Sequence, residues 1–222
     1  MAPRLTALLV FACLAGLIPG HRVAAQPDFA TEAAREIDTV VHFFPPDFAL
    51  TTDRAGPIAF YGEAMNEFKE VSCERSASFG IIASANMAGG IRAGICVREV
   101  RRVRALAAYA QPALAGVIAL LSEGGVRIEP AMLDKFGWRY VKSTGADGAD
   151  EHYFPLVAVG HGVAHLPTLV RIPRGARRAI LIQADTMKLC ENYGLQNKTP
   201  LCGNTRQALA DIARRLDARF RD

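Results

Sequence analysis

The stretch that decides the fold runs from Phe79 to Val97 and reads Phe-Gly-Ile-Ile-Ala-Ser-Ala-Asn-Met-Ala-Gly-Gly-Ile-Arg-Ala-Gly-Ile-Cys-Val. Two apolar segments, Phe79–Ala85 and Ile91–Val97, flank the short segment Asn86–Gly90, which ends in two glycines. Apolar segments of this length on either side of a glycine-containing turn are typical of a β-hairpin. The sequence therefore predicts two antiparallel strands joined at Asn86–Gly90.

The second half of the chain predicts a meander of about four more strands. The strand-like segments are Trp138–Lys142, Tyr153–Val159, Thr168–Ile172 and Ala179–Ala184. Between the first two lies the turn segment Gly145–Asp150, which is rich in Gly and Asp. We expect its carboxylates to be solvated, because the segment lacks the fifth and sixth oxygen ligands of a calcium-binding loop.

Helices are predicted at both ends of the chain that follows residue 25. Asp28 can cap a first helix, and Asn204 with Gln207 three residues later forms a capping-box-like start for a last one. The first helix has apolar residues at helical spacing at Phe29, Ala33, Ile37, Val40, Val41 and Phe44. The last helix has them on one face at Leu209, Ile212, Leu216 and Phe220.

Two central helical segments complete the pattern, Arg98–Gln111 and Ala113–Leu121, separated by Pro112. Strands and helices do not alternate regularly, which disfavours a parallel β-α-β fold. We therefore predict a disulfide-stabilised α+β fold in a single domain, residues 26–222. Its mainly antiparallel sheet packs with N-terminal, central and C-terminal helices.

The first 25 residues have the pattern of a secretory signal peptide. A basic start at Arg4 precedes the apolar stretch Leu5–Ile18, and the small residues Ala24 and Ala25 follow. This pattern predicts cleavage between Ala25 and Gln26 and a periplasmic or secreted protein. The alternative is a retained membrane anchor, which the apolar stretch disfavours because a spanning helix needs about 20 residues.

A second uncharged segment, Ala105–Leu121, is also a candidate membrane span. It contains Gln111, Pro112 and Gly116 and is at the short end of the spanning range. We therefore favour a buried core helix for this segment.

The cysteines indicate disulfides. With Cys13 removed in the signal peptide, an even number remains, namely Cys73, Cys96, Cys190 and Cys202. Such cysteines are usually oxidised to disulfides in exported proteins. Four cysteines allow three pairings. The most economical pairing joins the cysteines that are near in sequence, Cys73 with Cys96 and Cys190 with Cys202. A zinc site is disfavoured because structural zinc sites usually contain a Cys-x2-Cys pair, and the sequence has none.

The segment from Val159 to Pro167 is the predicted ligand-contact region. It contains His161 and His165 next to Gly160 and Gly162. Glycines let a backbone approach a ligand, and neutral imidazoles both donate and accept hydrogen bonds. Aromatic walls would come from Trp138, Tyr140 and Tyr153, unless these rings simply stack across adjacent strands.

The same two histidines raise the alternative of a metal site with His152, Asp185 or Glu191. Glycines disfavour a helix here, and in an extended segment residues four apart lie about 13 Å from one another, too far for one ion. Glu does not follow His161, so the general base of a zinc protease is missing. We therefore predict no metal ligand, no catalytic residue and no cofactor.

Arginine outnumbers lysine by 21 to 5 and gathers in three regions. These are Arg98–Arg104, Arg171–Arg178 and the last helix. Guanidinium clusters can clamp phosphate or carboxylate, although a biased genome composition also explains the excess. The formal charge of +4 falls to +2 without Arg4 and Arg22, so no nucleic-acid partner is expected. An anionic membrane surface is a weaker candidate partner.

These observations favour an exported, non-catalytic ligand-binding or accessory protein of the cell envelope. Its partner would be a small ligand or another envelope protein. A first alternative is a metal-assisted hydrolase that uses His161 and His165. A second alternative is a structural subunit of an envelope complex, which would expose an apolar patch or form an oligomer.

Overall fold

The computed structural model describes residues 28–53, 59–60, 71–98, 100–101, 103, 125, 131, 139–155, 157–159, 162–164, 166–185 and 187–221. The strands with described bounds are β1 (Phe48–Asp53), β2 (Ala59–Phe60), β3 (Val71–Ser72), β4 (Arg75–Ala83), β5 (Asn86–Cys96), β6 (Val141–Thr144), β7 (Asp150–Phe154), β8 (Val157–Val159), β9 (Gly162–Ala164), β10 (Thr168–Ile172) and β11 (Ala179–Asp185). The helices with described bounds are α1 (Phe29–Val41), α2 (Met187–Asn192), α3 (Pro200–Gly203) and α4 (Thr205–Arg219).

Seven of these strands form one sheet in the order β1-β4-β5-β11-β10-β7-β6. Every neighbouring pair in it is antiparallel. Two short ladders, β2 with β3 and β8 with β9, stand apart from it. The predicted α+β class with mainly antiparallel pairing is confirmed.

The hairpin β4–β5 exists, but its turn lies earlier than the sequence predicts. Ser84 and Ala85 form the turn with positive φ angles of 48° and 68°, while the two glycines lie inside β5. A Cβ on Gly89 would come within 2.5 Å of the carbonyl oxygen of Asp185. Gly89 is therefore needed for close approach of two backbones, which is the other common reason for glycine in a strand.

One face of the sheet is covered by the helices. The predicted apolar positions of α1 and α4 are all buried there, together with Phe79, Ile91 and Ile182 of the sheet. Asp28 caps α1 through Thr31 N–H, and Asn204 caps α4 through Gln207 N–H, as predicted. Both helices were predictable because cap and apolar periodicity agree.

The two helices are also joined by ion pairs. Glu36 accepts hydrogen bonds from Arg215 and from Arg219, the latter at 2.6 Å. Glu32 forms a further ion pair with Arg219 at 3.0 Å. These contacts fix the direction of α4 across the sheet.

The opposite face of the sheet carries a smaller apolar cluster that includes Val170, Leu181 and Val103. The Cys73–Cys96 disulfide is part of it, and a second disulfide joins Cys190 to Cys202. Both sequence-near pairings are confirmed.

Several predicted segments lie outside the described residues. They include the signal peptide, most of Arg98–Gln111, and all of Ala113–Leu121. Val100, Arg101 and Val103 are helical, in agreement with the start of the first central segment. Within the described part of the chain, no helix is long and apolar enough to cross a membrane.

Candidate functional site

A buried arginine organises one end of the helix-covered face. Arg171 lies on β10 and is 1% exposed, yet three carboxylates surround it. Its Nη1 donates to Glu151 at 2.7 Å, and its Nη2 donates to Asp147 and, at 3.3 Å, to Asp217. Burying a charge without partners costs much free energy. The hydrogen bonds to three carboxylates offset this cost for Arg171.

The three carboxylates come from three different elements. Glu151 faces Arg171 across the β7–β10 ladder, Asp217 lies on α4, and Asp147 lies in the turn between β6 and β7. In that turn a Cβ on Gly145 would lie 2.8 Å from Asp147 Oδ1 and 3.3 Å from Arg171 Nη1. A side chain at Gly145 would therefore displace the Asp147 carboxylate from its present position.

Asp147 is held in its ionised form. Burial acts to raise its pKa, but the N–H of Ala149 and the charge of Arg171 outweigh burial and leave the pKa below its ordinary value. The sequence predicted a solvated turn at this position. The turn is exposed, as predicted, with the Asp147 side chain 42% accessible. The structure adds that this carboxylate is also paired with a buried guanidinium 24 residues away.

Two further arginines bind the same carboxylates. Arg214 donates to both oxygens of Glu151 at 2.9 Å, and this hydrogen bonding, against the opposing effect of burial, raises the Arg214 pKa. Arg178 donates to Asp217 at 2.8 Å and to the carbonyl oxygen of Phe220 at 2.7 Å. The end of α4 is thereby fixed to the start of β11.

Beside this network lies a cavity of about 480 Å³. We call it the arginine cavity, and the described residues that line it are Val97, Asp147, Pro173, Arg174, Gly175, Ala176, Arg177, Arg178, Asp217 and Arg221. Its volume is within the range of about 300–1,000 Å³ typical of small-molecule sites. Among these described residues, four arginines and two aspartates give a formal charge of +2.

The β10–β11 turn forms one wall of the arginine cavity. Gly175 has a φ of +72°, and the N–H of Ala176 donates to the carbonyl oxygen of Pro173 at 3.2 Å. This compact turn presents Arg174 and Arg177 on the same loop, and both side chains are exposed. The opposite wall comes from the end of α4 with Asp217 and from Arg221 just beyond it.

The arginines of the cavity differ in their partners. Arg178 is buried and engaged by Asp217 and Phe220. For Arg174, Arg177 and Arg221, no ion pair joins them to any residue that the structure describes. Three exposed arginines therefore line the cavity without an ion pair in the described part of the chain, and guanidinium groups can donate hydrogen bonds to an anionic group.

A second polar pair lies on the other face of the sheet. Tyr140 Oη and His152 Nδ1 are 2.7 Å apart, and His152 is buried. Burial and the nearby charge of Lys142 outweigh Asp150 and lower the His152 pKa, so the imidazole is neutral at pH 7. Burial, with help from Asp150, raises the pKa of Tyr140. A neutral Tyr–His pair of this kind supports packing and hydrogen bonding.

The residues of the predicted contact region are only partly described. Tyr153 is buried in the core beneath the helices, where burial raises its pKa to about 12. Gly162 pairs with Val159 in the β8–β9 ladder. The remaining predicted residues, Trp138, Gly160, His161 and His165, lie outside the described residues, so the histidine site stays a prediction.

The predicted aromatic walls do not come together in the described part. Tyr153 belongs to the helix-side core, whereas Tyr140 contacts His152 and Phe154 of the opposite face. Tyr140 therefore stacks with rings of the neighbouring strand β7, as the simpler interpretation proposed.

The Arg171–Arg178 cluster is visible in the sequence, and such clusters can bind phosphate or carboxylate, but the sequence does not indicate a site there. The missing information was that Arg171 and Arg178 point inward to carboxylates on α4, while Arg174 and Arg177 remain exposed. The one signal of a buried charge in the sequence was Arg171, which lies inside the otherwise apolar strand Thr168–Ile172.

Among the described residues, no group of three His, Cys, Asp or Glu side chains is arranged to hold a metal ion. Comparison of the chain with protein-family models, with curated proteins and with solved structures gives no match.

Proposed function

We propose that this protein is a non-catalytic binding protein that takes a small anionic ligand in the arginine cavity. The observation that carries the proposal is the convergence of Arg174, Arg177 and Arg221 on one cavity of about 480 Å³. Guanidinium groups recognise planar and tetrahedral oxyanions through paired N–H donors. The exposed loop and the helix end bring these donors to a common volume.

The rigidity of the walls supports binding. Arg178 and Asp217 connect the cavity to the Arg171 network, so hydrogen bonds already hold these two side chains of the lining in place. Such preorganisation reduces the entropy lost on binding. A ligand therefore orders only the outer parts of three side chains.

The chemistry of the lining favours binding over catalysis. The described lining contains no Ser, Cys, His or Tyr that could act as a nucleophile or as a general base. Its carboxylates, Asp147 and Asp217, already accept hydrogen bonds from Arg171. The cavity provides donors and positive charge.

The cellular setting belongs to the proposal as well. The signal-peptide pattern of residues 1–25 supports export, and the two disulfides are compatible with an oxidising compartment. We propose that residues 26–222 act as a single domain in the cell envelope or outside the cell.

Thermal unfolding of the exported, oxidised protein at constant ionic strength tests the proposal. The probes are sulfate, acetate and methyl phosphate, with methylammonium and glucose as non-anionic comparisons. A ligand at 100 times its Kd stabilises by about 2.7 kcal/mol. For a chain of this size that corresponds to a rise in Tm of roughly 5–10 °C.

The double variant Arg177→Gln/Arg221→Gln should lose most of this rise. The matched control is Arg206→Gln, because Arg206 is an exposed arginine of helix α4 and is not among the described residues that line the cavity. The proposal is wrong if no anion raises Tm, or if the double variant and the control respond alike.

A further inference from the structure

We infer that the ligand group in the arginine cavity is a dianionic phosphate monoester. This inference rests on the proposed function and specifies the chemical class of the ligand. It follows from the charge of the lining and from which of its charges are already paired. The chemistry is shared by a free phosphate monoester and by a phosphate monoester on a lipid headgroup.

The first step is the net charge. The described residues of the lining carry a formal charge of +2 from four arginines and two aspartates. A phosphate monoester carries about −1.5 to −2 near pH 7, whereas a carboxylate or a phosphate diester carries −1. The two aspartates are paired with Arg171 and Arg178. The positive charge that a ligand meets is therefore that of the other three arginines, and a dianion neutralises more of it than a monoanion does.

The second step is that both aspartates of the described lining already have hydrogen-bond donors within the protein. Asp217 accepts from Arg171 and from Arg178, and Asp147 accepts from Arg171 and from Ala149 N–H. Their negative charge is therefore already paired with buried guanidinium groups. A ligand in the cavity meets the exposed guanidinium groups first.

The third step is geometric. Arg174 and Arg177 stand on the β10–β11 turn, and Arg221 follows the end of α4, so positive charge enters the cavity from two walls. The stem of Arg174 lies beside the turn before β7, where a Cβ on Gly148 would be 3.4 Å from Arg174 Cδ. Guanidinium groups carried by two separate elements suit the three terminal oxygens of a monoester better than the two of a carboxylate.

Calorimetric titration of the full exported protein tests the inference with three probes. Methyl phosphate is the dianion, dimethyl phosphate has the same tetrahedral centre with one charge, and acetate is the planar monoanion. We expect methyl phosphate to bind at least about tenfold more tightly than either monoanion. Arg174→Gln and Arg221→Gln should each weaken it several-fold, while Arg206→Gln should not.

The outcomes separate this inference from the proposed function. Equal affinity for all three probes, lost in the arginine variants, would overturn the dianion and leave an anion-binding cavity. No binding of any probe would overturn both. Tighter binding of methyl phosphate that survives in both arginine variants would place the phosphate elsewhere and overturn the site.

A vesicle arm distinguishes the two sources of the phosphate monoester. Sedimentation with phosphatidylcholine vesicles, with and without phosphatidic acid, reports binding to a lipid-borne monoester. Binding that needs phosphatidic acid, and that methyl phosphate displaces, supports the inference with a lipid source. Absence of vesicle binding together with tight methyl phosphate binding supports it with a free ligand.

Discussion

Replacing Arg171 by methionine tests the buried network from which the arginine cavity is built. The variant keeps most of the apolar stem and removes the guanidinium, which is 1% exposed and donates to three carboxylates. Removing one partner of a buried ion pair typically costs about 3–5 kcal/mol. Each carboxylate retains a second hydrogen-bond donor, so we expect the lower part of this range, about 3–4 kcal/mol.

Urea unfolding followed by circular dichroism measures this cost. With an m-value of about 2 kcal/mol/M, the midpoint should fall by roughly 1.5–2 M. The free energy of unfolding of Arg171→Lys should lie between those of Arg171→Met and the native protein. Lysine keeps the positive charge but lacks the forked guanidinium group. The lysine variant also provides the measurement if the methionine variant does not fold.

Arg206→Gln serves as the control and should change the free energy of unfolding by less than about 0.5 kcal/mol, as exposed substitutions usually do. A loss below about 1 kcal/mol in Arg171→Met would refute the reasoning, since the value is smaller than the cost of a broken buried pair. The network would then not hold the walls of the cavity.

Three further predictions concern other parts of the fold. Cys190→Ala/Cys202→Ala opens a loop with a separation of 12 residues and should cost about 3 kcal/mol, seen in calorimetry as a fall in Tm of roughly 6–12 °C. His152 has a lowered pKa, so as pH falls through its ordinary value near 6.5 the unfolded chain takes up a proton first and stability decreases. His152→Gln should remove that part of the pH dependence in denaturant titrations between pH 7 and 5. Gly89→Ala brings a Cβ within 2.5 Å of a backbone oxygen and should cost about 1–3 kcal/mol in urea unfolding, more than Gly90→Ala, where the nearest atom is 3.2 Å away.

Each of these predictions has a contradicting result. An unchanged Tm in the double cysteine variant would show that the bridge does not restrict the unfolded chain. A pH dependence identical in the native protein and in His152→Gln would show that this imidazole does not titrate differently on folding. Equal losses in the two glycine variants would show that backbone approach at Gly89 is not the constraint.

The sequence predicted the elements whose signals are local. Helices α1 and α4 each combine a side-chain cap with an apolar face, and both helices form where predicted. Strands β10 and β11 agree within one residue, because their apolar runs are bounded by a proline-glycine turn. Both disulfides follow from short separations in sequence.

The hairpin turn could not be predicted because its decisive contact is distant in sequence. Gly89 and Gly90 resemble turn residues, yet Gly89 lies against the backbone of Asp185 on β11. The residues next to Gly89 in the sequence do not indicate that Gly89 will lie against strand β11. The turn then forms at Ser84 and Ala85, which lack the glycine normally favoured at positive φ.

The cavity was missed for a similar reason. Arg171 meets Asp217 across 46 residues, and Arg214 meets Glu151 across 63. From the sequence, any of the 22 acids is an equally good partner for an arginine. Only the fold divides the arginine cluster into buried structural cations and exposed ones that face a cavity.

The most direct test of the account is an NMR titration of the arginine side-chain Nε–Hε resonances with methyl phosphate. If the arginine cavity is the ligand site, the signals of Arg174, Arg177 and Arg221 shift together and saturate with one affinity, while Arg206 stays unchanged. Unshifted signals from these three arginines at saturating methyl phosphate would contradict the central claim.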